Sequence, residues 1–148
     1  MNLWKIASFA IAVDLAVLVL SADVQAKDDG KKIGEYIANI TKACLSEGEP
    51  FGDMQEIIEE GNPTQNEKCV IACIMTNWGM LSENGEFQPD GVREVHKAIQ
   101  ASDRYLEKYK NIDEVIIAKC GSIDEPEKCD KGYALAECCF KIFAEARR

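Results

Sequence analysis

The sequence predicts an all-α fold, a compact bundle of about six helices in one domain, and three observations predict it. Apolar residues recur at helical spacing in successive segments, while alternation at period two is nowhere sustained. Clusters of helix breakers, Gly48-Glu49-Pro50-Phe51-Gly52, Gly61-Asn62-Pro63 and the stretch Gly121 to Pro126, cut the chain into helix-sized pieces. All seven cysteines lie beyond residue 26, and in an exported chain they read as a disulfide framework with one thiol left over.

Export is expected from the first 26 residues. Lys5 gives a positive start, Leu15 to Leu20 is unbroken apolar chain, and Val24-Gln25-Ala26 has the small-residue pattern of a cleavage site. Asp14 interrupts the wider apolar region, which is too short and too broken for a comfortable membrane anchor of ~20 residues. Residues 1–26 are therefore expected to be a signal peptide that is removed, and 27–148 a single domain secreted into extracellular fluid. That domain holds 16 basic and 24 acidic side chains. Such a balance argues against nucleic acid and anionic membranes as partners, and for a well-dispersed protein with no stable membrane insertion.

The first helix is expected over Lys31 to Leu45, where Ile33, Ile37, Ile40 and Cys44 share a face. Asn39-Ile40-Thr41, at the edge of that stripe, is a glycosylation sequon. Asp53 with Glu56 forms a capping-box pattern for a short helix holding Met54, Ile57 and Ile58, which Gly61, Asn62 and Pro63 end. The central helix, Cys69 to Trp78, is apolar on nearly every side and belongs in the middle of the fold; Gly79 closes it. Cys69 and Cys73 lie one turn apart on it.

The turn-rich acidic loop Ser82 to Gly91 invites a calcium reading, but counting Gly91 as the sixth residue puts Lys97 where an EF-hand needs glutamate. A fourth helix from Asp90 carries Val92, Val95 and Ile99 on one face with His96 on its flank. Ser102 is expected to cap a fifth, in which Tyr105, Tyr109, Ile112, Ile116 and Cys120 form one stripe. The tyrosine hydroxyls on that stripe need partners from protein, water or ligand, or else reach the surface with their tips. The last helix runs from about Cys129 to the C-terminus with Tyr133, Leu135, Ala136, Cys139, Phe140, Ile142 and Phe143 in its apolar arc.

From Cys44 the cysteines are separated by 24, 3, 46, 8 and 8 residues as far as Cys138. This series resembles the six-cysteine signature of insect odorant-binding proteins of the pheromone-binding and general odorant-binding class. The likeness extends to Lys68-Cys69-Val70-Ile71-Ala72-Cys73-Ile74-Met75, Gly79-Met80-Leu81, the Asn84-Gly85 and Asp90-Gly91 turns, and Ala118-Lys119-Cys120. The long middle gap is generous for that family and suggests a longer loop near Ser82 to Gln88. Six cysteines allow 15 pairings. The resemblance implies Cys44–Cys73, Cys69–Cys129 and Cys120–Cys138, interlocked around an apolar cavity. Cys139, the extra residue, is expected to be a buried free thiol.

The resemblance also implies a carrier that takes small hydrophobic molecules, odorants or pheromones, through aqueous fluid to membrane odorant receptors, as a monomer or weak homodimer. Carried onto this chain, the pocket wall is Ile37 and Ile40 from the first helix, Ile74, Met75 and Trp78 from the third, and Val92, Val95 and Ile99 from the fourth. Tyr105, Tyr109, Ile112 and Ile116 continue it on the fifth, and Phe140 and Phe143 close it. Each, taken alone, reads equally well as plain core. Tyr105, Tyr109, Thr76 and His96 are the polar side chains available to orient a ligand. Ligand release by a long C-terminal tail is not expected, because ten residues follow Cys138. His96, the sole histidine, is the candidate for a pH-dependent contact, and a histidine at the wet edge of its helix is the plain reading.

No catalytic pattern appears. There is no HExxH, no nucleophile elbow and no second histidine, and Cys138-Cys139 is followed by Phe140-Lys141-Ile142 where a phospholipase would place His-Asp. Neither an enzyme nor a cofactor is expected. A zinc site on Cys69-x3-Cys73 would need further ligands, and His96 is the one histidine available, so no metal is expected either. The competing uses keep the fold: a non-sensory carrier or scavenger of lipids or amines, or a secreted interaction protein without a ligand.

Overall fold

The computed structural model describes residues 35, 38–47, 50–101 and 107–148. Among them are six α-helices: α1 (38–44), α2 (Met54–Glu60), α3 (Gln65–Asn77), α4 (Pro89–Gln100), α5 (Ile112–Cys120) and α6 (Lys128–Arg147).

The helix starts follow local chemistry. Asp53 caps α2, its carboxylate accepting from the backbone N–H groups of Gln55 at 2.9 Å and Glu56 at 3.1 Å. The reciprocal capping box belongs instead to α3, where Thr64 accepts from the Glu67 N–H at 3.2 Å and the Glu67 carboxylate accepts from the Thr64 N–H at 2.7 Å. That cap moves the start of α3 from the expected Cys69 back to Gln65. Gly61, at φ 69°, ends α2, and Gly79, at φ 76°, turns the chain away after α3. A short antiparallel bridge between Leu81 and Phe87 then returns the chain to Pro89, the first residue of α4.

The expected fifth helix is interrupted. Tyr109 stands in a 3₁₀ turn, Glu107–Tyr109, and α5 begins only at Ile112. Tyr109 and Ile112 are still buried together, because the tight turn preserves the inward direction that a continuous helix would have given.

Helices α3 and α6 form the axis. Cys69 is bonded to Cys129, with Cα atoms 4.3 Å apart, and three residues further along each helix Ala72 meets Gly132. The contacts advance in step, so the two helices run parallel. Lys68 and Asp130 add an ion pair at 2.8 Å beside the bridge. Two further bridges, Cys44–Cys73 and Cys120–Cys138, tie α1 to α3 and α5 to α6. These are the three pairs that the resemblance implies, and Cys139 is left free and buried.

Candidate functional site: the apolar interior

The apolar faces of five helices meet in one cluster. Ile71 and Met75 of α3, Val92 of α4, Ile112 and Ile116 of α5, and Leu135, Cys139 and Ile142 of α6 form its buried part, with Ile57 and Ile58 of α2 beneath. Trp78, Val95, Phe140 and Phe143 pack on it while only partly buried. Tyr109 meets Phe143 edge to face, ring centres 5.6 Å apart, which joins the 3₁₀ turn to α6.

Of the side chains named from sequence, Met75, Trp78, Val92, Val95, Tyr109, Ile112, Ile116, Phe140 and Phe143 are therefore brought together. Ile74 is buried but outside this cluster, and Ile40 and Ile99 are half-buried outside it. Ile37 and Tyr105 lie outside the described residues. On the outer side, the 3₁₀ turn, the start of α5 and the end of α6 leave a groove of about 410 Å³ in which Ile112, Val115, Ile142 and Ala146 sit among charged side chains.

Two of the polar candidates, Thr76 and His96, are already engaged. The Thr76 hydroxyl donates to the Ala72 carbonyl at 2.8 Å, one turn back along α3. His96 is not at a wet edge: it is 5% exposed. Its Nδ1 lies 3.1 Å from Asp113 Oδ2 and its Nε2 lies 3.0 Å from the Tyr109 carbonyl oxygen. A buried imidazole needs such partners, and here they come from the segment α4 packs against. Arg93 repeats the link at the surface, reaching Glu114 at 2.9 Å and Asp90 at 3.0 Å. The carboxylates hold its guanidinium above the ordinary arginine range, the hydrogen bond to Glu114 foremost.

Two features of α6 escaped the sequence reading. Tyr133 buries a hydroxyl that has no hydrogen-bond partner among the described residues, and its phenol is pushed upward by burial first and by Glu137 second, against the pull of Lys68. Its membership of the apolar arc gave no sign of this. Gly132 was the second, although a glycine inside a helix is itself a signal of close approach. Cys139 has its thiol pushed up to about 12 by burial, which makes it an inert core side chain. Among the described residues no cluster of His, Cys, Asp and Glu fits a metal ion, and no helix is long and apolar enough to cross a membrane.

The architecture and bridges find their match in known proteins. The model of the PBP/GOBP family matches residues 26–142. The chain belongs to the PBP/GOBP family. Its members are binding proteins and not enzymes. General odorant-binding protein 19d of Drosophila melanogaster is 26% identical over 114 residues, spanning 75% of this chain and 74% of that protein. The solved structure of odorant-binding protein dmelOBP28a from Drosophila melanogaster superposes with a TM-score of 0.59 at 21% identity, covering 78% of this chain and 95% of that one. The latter establishes the odorant-binding-protein fold.

Proposed function

We propose that this PBP/GOBP protein is a secreted carrier that holds small hydrophobic molecules in its apolar interior and moves them through aqueous fluid to membrane receptors. Residues 1–26 act as its signal peptide. The observation that carries the reading is the convergence of Met75, Trp78, Val92, Val95, Ile112, Ile116, Phe140 and Phe143 from α3, α4, α5 and α6, with disulfides joining α3 to α6 and α5 to α6. Covalent staples relieve the core of part of its stabilising work, so the interior tolerates a cavity that an unstapled domain of this size would have to fill.

Affinity comes from area. A chain of about ten carbons at ~0.8 kcal/mol per methylene gives about 8 kcal/mol before association costs, so binding on the order of micromolar is expected. The term is non-directional, so several ligands of similar size bind. With Thr76 and His96 engaged elsewhere, the Tyr133 hydroxyl, which has no hydrogen-bond partner among the described residues, is a polar group with a hydrogen bond still to give.

The test is thermal denaturation of delipidated, oxidised protein with straight-chain alcohols. A ligand at 100 times its dissociation constant stabilises the folded state by about 2.7 kcal/mol, so Tm rises with chain length until the pocket is full. An unchanged Tm across the series would refute the carrier reading.

A further inference from the structure

We infer that Asn39 carries an N-linked glycan. The inference rests on the export proposed above and on two observations. The chain holds a single usable acceptor motif, Asn39-Ile40-Thr41; the other Asn-x-Thr, Asn62-Pro63-Thr64, is barred by the proline at its middle position. In the folded protein α1 is two-sided: Ala38, Asn39, Lys42 and Ala43 are exposed, while Ile40, Thr41 and Cys44 are half-buried. Asn39 is thus on the face turned away from the interior, and Cys44, bonded to Cys73, fixes that orientation.

The modification is a group transfer. The Asn39 side-chain nitrogen forms a bond to C1 of an oligosaccharide carried on a lipid pyrophosphate. The C1–O bond to the phosphate breaks, the lipid pyrophosphate leaves with the electron pair, and the amide gives up one proton. Transfer takes place on the entering chain, before α1 winds, and the finished helix then displays the sugar to solvent. A bulky hydrophilic group there displaces no packed side chain and keeps the outer face of α1 out of contact with other proteins.

The experiment expresses the full chain in insect cells and reads medium and cell pellet by gel mobility with and without enzymatic deglycosylation, and by peptide mass. The expected result is one glycan, on Asn39, in the secreted protein. Asn39→Gln and Thr41→Ala lose it and Thr41→Ser keeps it, which separates the motif from the helix. Pro63→Ala opens the second motif, and exposed Asn62 gains a glycan. A secreted, disulfide-bonded chain with Asn39 bare overturns the inference and leaves the carrier reading intact. A chain that remains in the cytosol overturns both.

Discussion

Gly132 of α6 lies against Ala72 of α3 with no room between them: a Cβ on Gly132 would overlap both Cα and Cβ of Ala72. One turn back the Cys69–Cys129 bridge joins the same two helices, so a side chain at position 132 cannot be absorbed by letting them part. Gly132→Ala is expected to cost about 1–3 kcal/mol, the range of an overpacked core. Urea unfolding with the bridges intact measures it. Ala72→Gly in the same chain should return part of the loss, because it removes one of the two overlapping atoms.

Cys139 is expected to resist alkylation in the native protein at pH 8 and to react fully, one thiol per chain, once unfolded without reductant. Burial raises its thiol to about 12 from the ordinary 9.0, so the native thiolate is scarce. The sign of the stability effect follows. The contribution is fully present below the unfolded value and is lost as pH climbs from about 9 toward 12, because the unfolded chain then holds fewer protons than the native one. Cys139→Ala should flatten that part of the alkaline decline.

His96→Ala is expected to destabilise the fold by about 1–3 kcal/mol, since it leaves the Tyr109 carbonyl and the Asp113 carboxylate without their partner. Combined with Asp113→Asn, the two losses should fall short of their sum, and thermal or urea denaturation of the four-variant cycle reads the coupling. Additive losses would mean that the two side chains do not act as a pair. The same variant addresses ligand release: a probe affinity that varies with pH as much in His96→Ala as in the parent removes His96 from that step.

Tyr133→Phe removes a buried hydroxyl with no partner among the described residues, so the unliganded protein should be as stable or more stable, by up to about 3 kcal/mol. If that hydroxyl meets the ligand, the variant also loses preference for an alcohol over the alkane of equal length. Paired titrations with the two compounds measure the preference.

The helices and the bridged segments were legible because their signals are local or combinatorial. The apolar spacing of α3 and α4 and the breakers at Gly61 and Gly79 act within a few residues, and the cysteine series marks a family. The start of α3 was misplaced because the apolar run begins after its cap, Thr64 with Glu67. The break between Tyr109 and Ile112 was invisible because a 3₁₀ turn keeps nearly the same inward face as the helix it replaces. Asp113 could not be matched to His96 from spacing, since 16 residues and a change of helix separate them. The same holds for the Tyr133 hydroxyl: whether a tyrosine tip finds a partner is decided by neighbours far away in sequence.

Whether the interior is a bounded apolar pocket is decided by titrating oxidised protein with a small apolar fluorescent probe at neutral pH and displacing it with alcohols of increasing length. Saturation near one probe per chain is expected, with displacement that strengthens with length up to a limit. Protein shown to be folded with its three bridges that gives no saturable signal would contradict it, and would mean that the side chains gathered around Met75 and Ile116 are a filled core.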